Sequence, residues 1–330
     1  MNVPGKLGLY GLGLAVAFGG ALGAGTLVGP LLPTAVTAVT AADPSAEADG
    51  SPGAEAPSTG GGIPGGLQVS QDGYTLDLLG APAEPGTEAE LSFRVLGADG
   101  DPVTAFAESH GERMHLILVG RDMTGYQHLH PETDDGGTWS LPVELDGPGA
   151  YRVFADFVPE DLGRGLTLGT DLAVAGEYAP SPLPTPAPGT ETGGYTVELD
   201  GELVPGSTGE LAFTVSRDGE PVTDLEPHLD AYGHLVALRE GDLAYLHVHP
   251  GERPGDGAAE PGPRIVFQAE APSPGDYRLF LDFRHEGRVR TAEFTVSVGA
   301  DAGAERGNEA GSGDGDGDGG GAEGEADHSH

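Results

Sequence analysis

The chain has no cysteine in its 330 residues, a single lysine (Lys6), one tryptophan and three methionines. The missing thiols exclude disulfides, cysteine nucleophiles, zinc ribbons, iron–sulfur clusters and blue-copper centres. Only 15 basic side chains stand against 53 acidic ones, a net charge of −38. A polyphosphate partner is held by clustered cations, so simple nucleic-acid binding is excluded as well. Apolar residues make up only 37% of the chain, beside 58 glycines and 28 prolines, so part of it is linker or tail rather than core. The length allows about two domains.

Long hydrophobic runs are lacking, with one exception. Leu7 to Leu32 carries no charge and exceeds the ~20 helical residues that span a bilayer core. Lys6 precedes it and acidic residues follow, which places the rest of the chain outside the cytoplasm. Gly19 with Gly23 and Gly25 with Gly29 repeat the spacing that lets membrane helices pack closely. Thr40-Ala-Ala before Asp43 also fits a signal-peptidase site. Residues 1–42 therefore read as a single-pass anchor in the cell membrane or, if cleaved, as a secretion signal. Either way the bulk of the chain is extracytoplasmic.

Residues 43–66 and 180–193 are dominated by Pro, Gly, Ser, Thr and Ala and read as disordered linkers. Residues 300–330 carry nine acidic side chains against Arg306 and read as an acidic, disordered tail. Asp314, Asp316, Asp318, Gly319 and Glu325 formally satisfy a calcium-loop pattern. No flanking helices frame it, and Gly321 stands where such a loop needs an apolar anchor, so low-complexity coincidence is the reading.

Two segments, 67–179 and 194–299, match each other. Tyr74-Thr-Leu-Asp-Leu aligns with Tyr195-Thr-Val-Glu-Leu, Pro102-Val-Thr with Pro221-Val-Thr, and Tyr151-Arg-Val-Phe-Ala-Asp-Phe with Tyr277-Arg-Leu-Phe-Leu-Asp-Phe. One domain has been duplicated. Leu91, Phe93 and Val95 alternate with polar residues, as do Trp139, Leu141 and Val143, and turn residues such as Asp-Asp-Gly-Gly fall between such runs. No helix pattern follows the N-terminal run. The expected class is all-β: two tandem immunoglobulin-like or cupredoxin-like β-sandwiches.

The histidines carry the chemistry. His115, His128 and His130 of the first repeat correspond to His234, His247 and His249 of the second, and each His-x-His pair is followed by a proline. Residues i and i+2 of a strand share a face, and a third histidine on a hairpin partner lies ~4.5–5.5 Å across the ladder, so three imidazoles converge on one ion. Met114-His-Leu-Ile-Leu-Val and Tyr126-Gln-His-Leu-His form such a hairpin. Asp156 and Asp282 occupy equivalent places in aromatic strands, as a fourth ligand, an orienting group or a strand-end acceptor. His110 and His228 lie near the triplets but out of register, as outer ligands at most. Met114 and Met123, whose partners in the alignment are Gly233 and Asp242, read as packing residues.

His115-Leu-Ile-Leu-Val, Arg121-Asp-Met-Thr-Gly-Tyr-Gln-His-Leu-His-Pro and Tyr151-Arg-Val-Phe-Ala-Asp-Phe resemble the membrane-anchored extracytoplasmic heavy-metal-binding proteins of high-GC Gram-positive bacteria and, more distantly, YtkA-like domains. The second repeat departs from this pattern at Arg239-Glu-Gly-Asp-Leu-Ala-Tyr. The resemblance implies a β-sandwich outside the membrane that handles copper or other heavy metals.

Three functional classes follow. The first is sequestration or delivery of copper, or less readily zinc, by imidazole and carboxylate donors, with a metal-transport membrane protein as a partner. The second is a structural or adhesive pair of immunoglobulin-like domains without metal. The third, a metalloenzyme, lacks a general base near the triplets and any G-x-S-x-G or H-E-x-x-H motif, so a non-enzyme is expected.

Overall fold

The structure, a computed structural model, describes residues 63–246, 248–250 and 260–299. The apolar run 7–32, the first linker up to residue 62, His247, and the tail with its calcium-loop pattern lie outside the described residues. No helix among the described residues is long and apolar enough to cross a membrane.

The first repeat is built from β1 (Ser70–Gln71), β2 (Tyr74–Gly80), β3 (Ala89–Leu96), β4 (Phe106–Ala107), β5 (Met114–Gly120), β6 (Gln127–Leu129), β7 (Glu132–Thr133), β8 (Thr138–Val143), β9 (Gly149–Pro159) and β10 (Leu166–Val174). The second follows with β11 (Gly189–Thr192), β12 (Tyr195–Gly201), β13 (Thr208–Arg217), β14 (Glu220–Pro221), β15 (Gly233–Arg239), β16 (Tyr245–Leu246), β17 (Val248–Pro250), β18 (Arg264–Glu270), β19 (Gly275–His285) and β20 (Arg288–Val298). Strand β11 begins inside the Pro-rich stretch that reads as linker from its composition, and pairs antiparallel with β12.

Each repeat is an immunoglobulin-like sandwich of two antiparallel sheets. In the first the orders are β1-β2-β3-β8-β7 and β10-β9-β5-β6; in the second they are β11-β12-β13-β18-β17 and β16-β15-β19-β20. Period-two alternation produces this architecture: Leu91, Phe93 and Val95 of β3 and Leu116 and Leu118 of β5 meet inside the first repeat, with Trp139 between them. Phe213, Phe267, Tyr277, Leu279 and Leu281 do the same in the second. Met114 and Met123 are both buried, in keeping with a packing role.

A third apolar cluster belongs to neither sandwich. Ile117, Val119, Met123 and Phe154 from the first repeat pack with Val236, Leu238, Leu243 and Phe280 from the second. Strand β5 is buried along its whole length because its two faces serve two cores: even-numbered residues face inward, and odd-numbered ones face the other repeat. A continuous apolar run such as Leu-Ile-Leu-Val is what a strand covered on both faces requires. Tyr126 stacks on Phe280 with ring centroids 4.0 Å apart and planes 4° from parallel, while Tyr245 lies 5.6 Å from Phe154. Tyr126 and Tyr245, like Phe154 and Phe280, are equivalent positions, so the seam has a pseudo-twofold relation. Burial of a large apolar side chain is worth about 1.5–3 kcal/mol, so this seam holds the repeats together.

Structural equivalence also revises one alignment. Met123 and Leu243 both adopt positive φ, 63° and 60°, at the same point of their hairpins, and both are buried in the seam. The counterpart of Met123 is therefore Leu243, one residue on from the Asp242 that sequence alignment pairs with it.

Candidate metal centre

Strand alternation decides which polar side chains reach the seam. On β9, Tyr151, Val153, Ala155 and Phe157 face the first repeat's core, so Arg152, Phe154 and Asp156 face outward. On β19, Arg278, Phe280 and Asp282 do likewise. The ladders set His115 opposite Asp156 and His234 opposite Asp282. Both aspartates thus lie on the face turned toward the other repeat, a point the sequence leaves open.

The expected hairpin is present. Ile117 of β5 pairs with His128 of β6, and Leu116 with Leu129, which brings the His-x-His pair onto the same face as His115. One nitrogen from each of His115, His128 and His130 lies within 4.8 Å of the others. His115 Nδ1 is 3.1 Å from His128 Nε2 and 3.2 Å from His130 Nε2.

The outer nitrogens of two of these rings face groups that only accept. His115 Nε2 lies 2.9 Å from the Ser109 carbonyl oxygen, and His128 Nδ1 lies 2.9 Å from Asp282 Oδ2. Each outer nitrogen must therefore carry the proton and donate, so His115 Nδ1 and His128 Nε2 are left as bare lone pairs facing each other. His130 can donate Nε2–H to one of them; the other stays unpaired. A proton shared through His115 or His130 is a poor remedy, because burial, and then the neighbouring imidazoles, depress the basicity of these two rings. His130 is pulled down to about 3 and His115 is lowered below 6.5, burial being the first cause in both. A metal cation removes the conflict and needs neutral imidazoles. Metal–nitrogen bonds of about 2.0–2.1 Å put neighbouring donors about 3.3–3.4 Å apart in a tetrahedron and about 2.8–3.0 Å apart at right angles. The observed separations fall between these values.

Asp282 belongs to the second repeat, where the sequence groups it with His234, His247 and His249. In the structure its Oδ2 accepts from His128 of the first repeat, and its Oδ1 takes the Thr291 hydroxyl at 2.6 Å. Asp156 stands opposite His115, as expected beside the first triplet, and its carboxylate accepts the Thr167 hydroxyl at 2.8 Å. The tertiary arrangement sends one carboxylate across the seam, because β19 turns its polar positions toward the partner repeat.

His234 lies against the same group. Its ring centroid is 6.4 Å from that of His115, 6.0 Å from His128 and 5.5 Å from His110. Its Nε2 faces the carbonyls of His228 and Leu229, both at 3.0 Å, and burial followed by His128 holds its pKa at about 3. His249 is placed by its backbone, paired with Gln268.

His110 and His228, out of register in sequence, both join the group: His110 with His115 and His234, His228 with His130 and His234. They sit on equivalent tight turns, Ser109–Glu112 and His228–Ala231, each closed by reciprocal backbone hydrogen bonds of 2.8 and 3.1 Å. Each turn has positive φ at its two central residues, as a type I′ turn needs. The histidine occupies the first turn position in one repeat and the second in the other, which explains the one-residue offset. Thr291, Thr167 and the carbonyl of Ser109 carry no motif and are not visible as site residues in the sequence.

The family model described as "Domain of unknown function (DUF8832)" matches residues 68–172 and again residues 190–300. Among solved structures the chain is similar to the adhesin InvE of Yersinia pseudotuberculosis, at 13% identity and a TM-score of 0.21 over 72% of this chain and 61% of that one. It is similar also to invasin, described as a bacterial integrin-binding protein, at 11% and 0.20 over 70% and 41%. A third is domains 5–6 of the S-layer protein SbsC, at 11% and 0.21 over 68% and 95%. The chain thus spans less than two thirds of the InvE and invasin structures, and likenesses at these TM-scores carry no argument about function. No curated protein matches.

Proposed function

The chain belongs to the DUF8832 family, and we propose that it is an extracytoplasmic pair of immunoglobulin-like sandwiches that binds a divalent transition metal at His115, His128 and His130. The observation that carries this reading is the pair of bare imidazole nitrogens, 3.1 Å apart, whose protons are drawn outward to Ser109 and Asp282. Copper is the favoured ion and zinc the second, since a nitrogen and oxygen donor set without thiolate suits both and intrinsic affinities favour copper. The role is sequestration of the ion or its delivery to a metal-transport membrane protein. The uncharged run 7–32 supplies the attachment to the cell membrane, or the export signal if it is cleaved. External protease on intact protoplasts should then remove both sandwiches, and protection of them would refute this topology.

Calorimetric titration of Cu(II) and Zn(II) in a weakly chelating buffer tests the site. His128→Ala together with His130→Ala should abolish high-affinity binding, while His328→Ala with His330→Ala should remove at most a weak extra site. Unchanged stoichiometry and affinity in the first double variant would remove the metal reading.

A second reading, a structural or adhesive surface protein without metal, is supported by the apolar seam, in which side chains of the two sandwiches pack together. In that reading the histidines are polar filling at the edge of the seam.

A further inference from the structure

The carboxylate on His128 comes from the other repeat, and this has a consequence for which part of the chain makes the site. We infer that Asp282 is a positioning residue for His128, so that the ion-binding site is a joint product of the two repeats and ion binding is linked to their docking. The inference rests on the metal reading, but its core is a statement about a tautomer that holds with or without an ion.

His128 reaches the convergence point through Nε2, so that nitrogen must be free of a proton and the proton must sit on Nδ1. Nothing in the first repeat is seen to hold it there; the acceptor 2.9 Å from Nδ1 is Oδ2 of Asp282. The carboxylate is itself fixed. It projects from β19, where Asp282 pairs with His234 on one side and Thr291 on the other, and the Thr291 hydroxyl donates to Oδ1 at 2.6 Å. His128 and Asp282 are both almost fully buried, with side-chain exposures of 8% and 5%, so water competes poorly for either. A buried acceptor that fixes the proton of a ligating imidazole typically changes metal affinity 10–100-fold when it is lost. Because the acceptor is held by the second repeat, a bound ion favours the docked arrangement by the same factor by which docking favours the ion.

Asp282→Asn tests this with little change of shape. Thr291 keeps the amide oxygen at the Oδ1 position, which turns the NH2 group toward His128. That group donates to Nδ1 and moves the histidine's proton to Nε2, where it blocks coordination. In the full chain we expect Zn(II) affinity to fall 10–100-fold, and 15N NMR of the ion-free protein to show His128 changing from the Nδ1–H to the Nε2–H form. Asp276→Asn, which alters a carboxylate of the same strand β19 that contacts Ser297, should leave Zn(II) affinity within about threefold. If Asp282→Asn binds Zn(II) like the wild type, the inference is wrong and the metal reading survives. If the wild type binds neither Cu(II) nor Zn(II), the metal reading is wrong and the NMR signal alone decides: an unchanged His128 tautomer in the variant overturns the inference, and a switched one supports the positioning. Should Asp282→Asn not fold, hydrogen exchange on the wild type replaces it. Saturating Zn(II) should slow exchange at Val236, Leu238 and Phe280, in the repeat that contributes no member of the triad, and no change there would overturn the linkage.

Discussion

The two repeats share a sandwich, a seam and a histidine spacing, yet they treat equivalent positions differently. In the first, Met114 and Trp139 fill the core. In the second, Gly233 and Ile265 stand at those points, and a Cβ on Gly233 would meet Ile265 at 3.1 Å and Leu281 at 3.3 Å. Arg152 and Arg278 are equivalent outward-facing arginines, but Arg152 donates to the Gly66 carbonyl and to Asp171, whereas Arg278 donates to Glu293 and Thr295. The difference traces to Gly169, which sits where the second repeat has Glu293: the bare glycine leaves room for the segment before the first repeat to cross the sheet. The duplicated sequence has diverged here in side-chain volume, one copy closing over a strap of its own chain and the other filling the place with Glu293, which accepts from Arg278.

The strongest test of the comparison is at the seam, where both copies give the same residue. Phe280→Ala and Phe154→Ala should each cost about 3–5 kcal/mol and lower the melting temperature to a similar extent. Combined, they should cost less than the sum, because both empty one cluster. A calorimetric scan in which one substitution is silent would show that the pseudo-twofold seam is not symmetric in energy.

Acid should act on both repeats together. His130 from one and His234 from the other are held at about 3 by burial first and neighbouring imidazoles second, against an ordinary value of 6.5. Between about 6.5 and 3 the unfolded chain binds more protons than the native one, so stability is level above that window and falls as pH drops through it. Urea unfolding of the ion-free protein should show a lower midpoint at pH 5 than at pH 7.5. His130→Gln and His234→Gln should each flatten that dependence by a comparable amount, and a pH-independent midpoint in the wild type would contradict the burial of these rings.

Gly169→Ala sharpens the arginine comparison. An added Cβ would stand 2.1 Å from the Gly66 carbonyl oxygen and 2.8 Å from the Arg152 guanidinium, so the strap must shift, at about 1–3 kcal/mol. Denaturant unfolding should register this loss, and hydrogen exchange should rise at Gly66, whose amide donates to the Thr167 carbonyl at 2.8 Å. The smallest effect is expected for Met123→Leu, below about 1.5 kcal/mol, because Leu243 already fills the equivalent place at nearly the same φ. A larger loss measured by urea titration would mean that the two hairpins are not equivalent.

The all-β class, the duplication, the hairpin that carries His115, His128 and His130, and a packing role for Met114 and Met123 were legible in the sequence; that both methionines are buried was not. Each rests on short-range order: period-two alternation, turn residues, and identical spacing in two copies. The run Leu116-Ile-Leu-Val even carried a sign of the seam, since no strand with a solvated face is apolar throughout. The partner of that second face was not legible. Periodicity states that a face is buried but not against what, and it does not reveal that Asp282 orients a histidine 154 positions earlier while Asp156 accepts from Thr167 of its own sheet. Those choices depend on how two sandwiches meet, and the contacts responsible are separated along the chain by a whole domain. Local periodicity accounts for the strands and for the spacing of His115, His128 and His130, whereas the link from His128 to Asp282 arises from the meeting of the two sandwiches, because packing alone brings outward-facing residues of distant strands within hydrogen-bonding distance.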